Sequence, residues 1–452
     1  MQEGKRDPYA AWRVGGYRLF AVSWFLVVVS KQIENVAVGW VVLKRTGDPL
    51  ALGISGLVQA APVMLLAMVG GQLADRLDRR RVLMASLALG VLSSLGMVAV
   101  TTWKLPAGWI YALLVVSATG AALGQPSRAA LVPSLVEADV FPNAVAWSMS
   151  VFQTATLVGP AIGGLLLWID IPTVFLVGAI GRTIAILLVS RLRPRAQPRL
   201  TEPVTFESLL SGARFVWRTQ AILGAVMLDM VAVMLGGFTY LLPIFAQDVL
   251  RVGGVAVGEV GLGLLRSAEA VGALVMALAL VHLPPFRRAG RAMLAVVAAF
   301  GLGVIAFGLS RSFWFSLAVL LFLGAVDNVS VVIRHTLIQT LTPDEMRGRV
   351  SAINNVFIVA SNDLGGFESG VAARLLGAAS RRLGRSASDD EARASGAIAA
   401  VILGGIGTLA VVAIAAASWP ELRRIRSLQD LKPLPPEGGS VERQRGAAVA
   451  SP

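Results

Sequence analysis

Twelve continuous apolar stretches, each close to 20 residues or longer, constrain this chain more than any other feature. A helix needs roughly 20 mostly apolar residues to cross ~30 Å of hydrocarbon. No water reaches backbone amides there, so only helices and closed barrels span a bilayer. Barrel strands read as short alternating segments, and none of these stretches alternates. The chain is therefore expected to be an all-α integral membrane protein. The predicted transmembrane helices cover 18–43, 50–74, 82–102, 108–126, 144–168, 172–192, 220–246, 257–281, 290–310, 312–336, 351–377 and 396–418.

Composition agrees: 56% of residues are hydrophobic and 15% charged, against about a quarter charged in soluble domains. With no cysteine and two histidines, His282 and His335, thiolate and histidine-rich metal sites are excluded, and no metal is expected. The net charge of +13 first suggests nucleic acid, but its distribution argues otherwise. Of 40 Lys and Arg, 27 lie in the amino terminus, the loops on its side and the carboxyl tail, and 9 on the opposite side. Lys31, Arg182, Arg266 and Arg374 fall inside spans. By the positive-inside rule both termini are cytoplasmic, and an even number of spans requires them to share a side. The exception is 378–395, an outer loop with four arginines beside Asp389, Asp390 and Glu391. The first apolar run is too long for a cleavable signal peptide, so it is expected to remain as the first span.

The expected organisation is a cytoplasmic segment 1–17, a six-helix half 18–192, a cytoplasmic linker 193–219, a second six-helix half 220–418, and a tail 419–452, disordered towards its end. The linker carries Pro194, Pro198 and Pro203, and Phe206–Arg218 reads as an amphipathic helix on the membrane surface. The halves resemble each other. At an offset of 206, Arg128-Ala-Ala-Leu131 lies over Arg334-His-Thr-Leu337, Gly159 over Gly365 and Gly164 over Gly370; at 205, Ala51–Leu57 lies over Ala256–Leu262. Two pseudo-symmetric six-helix halves follow.

Two motifs stand out. After the second span comes Gly70-Gly71-Gln-Leu73-Ala74-Asp75-Arg76-Leu-Asp78-Arg79-Arg80-Arg81, whose glycines permit close helix approach. The fifth span carries Gly159-Pro160-Ala-Ile-Gly163-Gly164, a kink-prone, tightly packing string. The first resembles the loop 2–3 signature of the major facilitator superfamily, and the second its exporter-associated antiporter motif. Thr46–Gly53, Gln125-Pro126-Ser127-Arg128 and Leu341–Val350 are similar to the branch containing the enterobactin exporter and the macrolide-efflux proteins. The resemblance implies parallel six-helix repeats with a site between them near the midplane, and assigns an inner-gate role to Asp75, Arg76 and Arg79 within a motif comprising Gly71, Leu73, Ala74, Asp78 and Arg80. There are two departures: Asp78 stands where many members carry glycine, and Val116 replaces an arginine that many proton-coupled drug antiporters place four residues before a glycine, here Gly120.

A charge within the bilayer needs a partner, water or a function. The first span has Lys31 and Glu34, which read as a pair within one helix, as do Arg266 and Glu269 in the eighth. Arg182, Asp229, Asp327, Asp363 and Glu368 complete the candidates for proton coupling or cavity lining, with Asp327 two turns from Arg334. Glu34, Asp229 and Asp363 are favoured. Trp24, Phe25, Phe152, Phe238, Tyr240 and Phe357 read as packing, or as lining for an amphiphilic cargo.

The expected function is that of a secondary active exporter in a bacterial inner membrane. It would move a hydrophobic or amphiphilic small molecule, of drug, macrolide or siderophore type, by alternating access and proton antiport. No phosphate loop, HExxH or Gly-x-Ser-x-Gly string occurs; no enzyme activity and no cofactor are expected, and the proton gradient is the natural energy source. The partners are the substrate and the lipid bilayer, with the chain a monomer. The alternatives are an importer or lipid-type flippase on the same fold, or a non-transporting receptor.

Overall fold

The structure, a computed structural model, describes residues 7–195, 206–284, 286–428 and 431–435, and of Ala67, Met68, Ala74, Asp75, Ala352 and 206–209 the backbone only. The spans are span 1 (Gly15–Thr46), span 2 (Pro49–Arg76), span 3 (Arg79–Thr102), span 4 (Gly108–Leu135), span 5 (Phe141–Ile169), span 6 (Ile171–Ser190), span 7 (from Gln220), span 8 (Gly258–His282), span 9 (Ala289–Leu309), span 10 (Phe313–Leu341), span 11 (Arg347–Arg382) and span 12 (Asp389–Ser418). Among the described residues, eleven helices are long and apolar enough to cross a membrane. The remaining helix of such length, span 11, is the longest, but Ser351, Asn354, Asn355, Ser361, Asn362, Asp363 and Glu368 make it too polar to qualify on composition.

Span 7 departs from the expected single helix over 220–246. Its α-helix stops at Leu235, and the chain continues as a 3-10 turn, Phe238–Leu241, a short turn, Leu242–Ile244, and a wider π turn, Phe245–Val249. The cause is Gly236-Gly237: a Cβ on Gly237 would lie 2.4 Å from the Gly365 carbonyl carbon, so span 11 presses backbone to backbone here. A hairpin not foreseen in the sequence follows, β1 (Arg251–Val252) paired antiparallel with β2 (Val255–Ala256). Gly253 and Gly254 both take positive φ, as the tight turn between such strands demands.

That insertion shifts the repeat register. Gly164 of span 5 packs on Gly263 and Glu259 of span 8, while Gly370 of span 11 packs on Gly53 and Pro49 of span 2. The matched pairs Gly53/Gly263 and Pro49/Glu259 stand 210 apart, so the offset of 205 expected for this stretch is corrected by the hairpin residues. Gly159 and Gly365 pack alike, on Gln32 and Val29 of span 1 and on Met234 and Val233 of span 7. Small residues at both sets of contacts allow close backbone approach where lipid supplies no hydrophobic drive.

The chain packs as two compact units. The first comprises Met1–Gly47, Val58–Val204 and Gly258–Ser267; the second comprises Asp48–Leu57, Thr205–Val257 and Ala268–Pro452. Spans 2 and 8 thus each begin in one unit and continue in the other. In the first unit, the segment before span 1 is anchored: the Ala11 amide donates to Asn143 Oδ1 at 3.0 Å, and Trp147 Nε1 to the Pro8 carbonyl at 2.8 Å. In the second, Phe206–Arg218 is helical as expected, with Phe215 and Val216 buried in the core alongside Ile222, Leu337 and Val350. Its partner is therefore protein on that side, not only a membrane surface. The described part of the tail packs here too, with Leu422, Ile425, Leu431 and Leu434 buried and the Leu434 amide donating to the Leu341 carbonyl at 2.9 Å.

Candidate functional site

In the first unit, three spans bring Glu34, Ser94 and Arg182 together. Arg182 ion-pairs with Glu34, and their side chains are 6% and 13% exposed. The Ser94 hydroxyl accepts from Arg182 Nη1 and donates to Glu34 Oε1, both at 2.7 Å. Two glycines make the room. A Cβ on Gly178 would lie 2.1 Å from Glu34 Oε1, and one on Gly90 would lie 2.9 Å from Arg182 Cδ. The expected Lys31–Glu34 pair is corrected: Glu34 turns inward to Arg182, whereas Lys31 is exposed. A buried carboxylate gains more from a desolvated guanidinium than from an ammonium kept in a wetter place.

The antiporter-like motif frames this cluster. Cβ atoms on Gly159 and Gly163 would meet Gln32 Cβ at 2.5 Å and the Ile33 carbonyl oxygen at 3.0 Å. Gly159, Gly163 and the intervening Pro160 therefore hold span 5 against the stretch of span 1 that bears Glu34.

The loop after span 2 builds helix caps. Asp78 is the N-cap of span 3 and accepts from the Arg80 amide at 2.8 Å. Arg79 donates to the Ala130 carbonyl at 3.2 Å, and Arg80 to the Ser190 and Leu192 carbonyls at 3.2 and 3.0 Å. Arg80 thereby satisfies the last carbonyl of span 6, and Arg79 ties span 3 to the last turns of span 4. Gly71, Leu73 and Arg76 lie on the last turns of span 2, Arg76 exposed. The side chains of Ala74 and Asp75 lie outside the described residues.

In the second unit, Asp229 of span 7 ion-pairs with Arg334 of span 10, the two side chains 8% and 4% exposed. Ser330 donates to Asp229 at 3.5 Å. Arg334 thus belongs to Asp229 and not to Asp327, the partner that spacing along span 10 suggests. Asp327 instead lines, with Asp229, Ser330, Val233 and Phe300, a small cleft with room for little more than a water molecule. Asp363 accepts from the Tyr240 hydroxyl at 2.7 Å. The Tyr240 ring fills a slot between Gly56 and Gly366, whose Cβ atoms would lie 2.8 and 2.3 Å from it. Glu368 and Glu269 are half-buried; Arg266, which belongs to the first unit, has its Nε buried.

At the span ends remote from both termini, Arg393 donates from Nε and Nη2 to Asp248 at 2.8 and 3.1 Å and also reaches Asp390 at 2.8 Å. Arg381 pairs with Asp389. The arginine-rich loop 378–395 that strains the positive-inside reading thus has half of its arginines matched by acids.

Sequence reasoning places Tyr240 and Trp24 only among the aromatics and passes over Ser94. Ser94 carries no usable signal, because a serine in a span is ordinary until its neighbours are known.

Comparison with known proteins fits this architecture. The family model described as Major Facilitator Superfamily matches residues 20–362. The enterobactin exporter EntS of Shigella boydii serotype 18 is 26% identical over 339 residues, covering 75% of this chain and 80% of that protein, and EntS of Escherichia coli O1:K1 / APEC matches to the same extent. Among solved structures, a bacterial homolog of the human lysosomal transporter Spinster superposes with a TM-score of 0.70 at 14% identity, covering 92% of this chain and 99% of that one. A mutant form of the nucleoside transporter NupG gives 0.68 at 12% identity, covering 89% and 99%. These structural likenesses bear on the fold.

Proposed function

Because this chain belongs to the major facilitator superfamily and is a multi-pass membrane transporter rather than an enzyme, we propose that it is a secondary active exporter. Its cargo is a hydrophobic or amphiphilic small molecule, moved out of the cytoplasm of a bacterial cell by alternating access. Both termini then lie on the cytoplasmic face, in keeping with the excess of Lys and Arg in the segments on that side. The observation that carries export is the match to enterobactin exporters across four fifths of their length. The packing of the antiporter-like glycines against span 1 beside Glu34 agrees with it.

The energy source is the proton gradient, and the second unit holds the coupling groups. Asp229 and Asp327 share one cleft, and Arg334 is engaged by Asp229. With Asp229 held by the guanidinium, Asp327 is the acid of the cleft left to take up and release a single proton. Asp363, tied to Tyr240, is the next candidate.

Vesicles with an imposed pH gradient test this reading. Gradient-driven export is expected from the native protein and its loss in Asp327→Asn or Asp229→Asn. Retention of gradient-driven export in both of these and in Asp363→Asn and Glu34→Gln rejects proton coupling. Absence of any net export by the native protein rejects the exporter reading.

A further inference from the structure

The two arginines related by the 206 offset, Arg128 of span 4 and Arg334 of span 10, have different partners. Arg334 is held by Asp229. The residue 205 before Asp229 is Trp24, and the packing of Gly159 on Val29 and Gly365 on Met234 supports that register for spans 1 and 7. Arg128 reaches that same place in the first unit, where its Cζ lies 3.8 Å from the Trp24 ring centroid. Trp24 in turn stacks on Phe152, centroids 6.3 Å apart and planes 14° from parallel. One half therefore answers its buried arginine with a carboxylate and the other answers its half-buried arginine with an aromatic face. Among the described residues no carboxylate lies within ion-pair distance of Arg128, and no acceptor takes a hydrogen bond from it.

A ring face offsets part of the cost of burying a guanidinium, yet leaves its formal charge and its N–H donors unspent. An aspartate in that position would consume both, as Asp229 does. Phe152 is 41% exposed, and Met149, one turn earlier on span 5, is 64% exposed, so the stack ends at an open apolar surface. A cationic fork beside aromatic and apolar surface matches one chemistry: an amphiphile with an aromatic body and a carboxylate, sulfonate or phenolate group.

The geometry points to Arg128 as the anchor for the anionic group of the cargo, with Trp24 and Phe152 stacking against its aromatic body. This rests on the exporter reading and narrows its substrate class to anionic aromatic amphiphiles. The contrast with Arg334 explains why a near-duplicated arginine is neutralised in one half only: the second unit keeps acids for a proton, and the first keeps a cation for a substrate.

The test measures binding of 1-pyrenebutyrate and of its uncharged counterpart 1-pyrenebutanol to the full-length protein in phosphatidylcholine nanodiscs, by fluorescence anisotropy. Tighter binding of the anion is expected. Arg128→Gln is expected to weaken pyrenebutyrate at least about tenfold, the loss of one charge-assisted contact, and pyrenebutanol no more than about twofold. Trp24→Asp supplies the carboxylate that Arg334 already has and deletes the stacking ring; it is expected to remove the preference for the anion and to weaken pyrenebutanol too, with a near-native thermal midpoint showing that the variant is folded. Equal binding of the two probes by the native protein, an equal loss of both in the variants, or an unchanged preference in both variants overturns the proposal. Loss of the native preference when phosphatidylglycerol replaces part of the phosphatidylcholine assigns Arg128 to a lipid headgroup and overturns it too. Failure here leaves export untouched, since direction is read in vesicles and binding is not.

Discussion

Asp229 and Arg334, 105 residues apart in the chain, form a buried ion pair that joins span 7 to span 10. Removing one partner strands a charge where solvent cannot reach it, at a cost of about 3–5 kcal/mol, whereas removing both leaves no orphan. Arg334→Gln is therefore expected to lower the thermal midpoint of the purified protein sharply, and Asp229→Asn/Arg334→Gln to recover most of the loss. A double variant no more stable than Arg334→Gln alone would show that the pair is not the unit of stability.

The Glu34–Arg182–Ser94 cluster depends on the missing side chain at Gly178 more than on the serine. Ser94→Ala removes one hydroxyl shared by two charges and should cost about 1–2 kcal/mol. Gly178→Leu drives a branched side chain into the space of the Glu34 carboxylate; misfolding or loss of transport is expected. Thermal unfolding of both variants in detergent checks the order, and a Gly178→Leu protein as stable as Ser94→Ala would contradict the geometry.

Arg393 should not tolerate lysine. It grips Asp248 with two nitrogens and Asp390 with one, and the Arg393 and Asp248 side chains are about a tenth exposed. An ammonium keeps the charge and loses the fork. Arg393→Lys is expected to destabilise nearly as much as Arg393→Ala, read as a fall in thermal midpoint; near-native stability of the lysine variant would refute this.

The linker helix should behave as part of the second unit. Phe215 is 1% exposed, and a Cβ on Gly212 would lie 3.1 Å from the Arg349 backbone. Phe215→Ala is expected to cost about 3–5 kcal/mol and Gly212→Leu to pry the helix away. Limited proteolysis after Arg214 and Arg218 reads both: faster cleavage than in the native chain is expected, and an unchanged rate would mean that the helix contributes no such packing.

Much of the fold is legible in the apolar pattern, because a bilayer forces each crossing to satisfy its own backbone and leaves a long apolar run as the trace. Span 11 is found by length and punctuation even though its polarity keeps it from qualifying on composition. The break in span 7 is not foreseeable, since Gly236-Gly237 is an ordinary pair in a span until Gly365 is known to press against it. The hairpin over Arg251–Ala256 escapes for the related reason that two-residue strands carry no periodicity.

The candidate charges are legible one by one, but their partners are not. Lys31 and Glu34 are three residues apart, and helical spacing makes them a pair; burial gives Glu34 to Arg182, 148 positions away. Sequence spacing shows which side chains share a helix face, but it says nothing of which helix stands opposite.

That this chain crosses a membrane many times, is built from two related halves and belongs among transporters follows from its amino-acid order alone. Those properties are summed over many residues, through apolar length, charge asymmetry and repeated motifs, and no single contact can overturn them. The matching of the buried charges came instead from three-dimensional packing: Arg334 to Asp229, Arg182 to Glu34 and Ser94, and Arg128 to the ring of Trp24. Coulomb and hydrogen-bond energies in a dry interior depend on a few ångströms between helices remote in sequence, and only the packing of glycine-lined helices sets those distances.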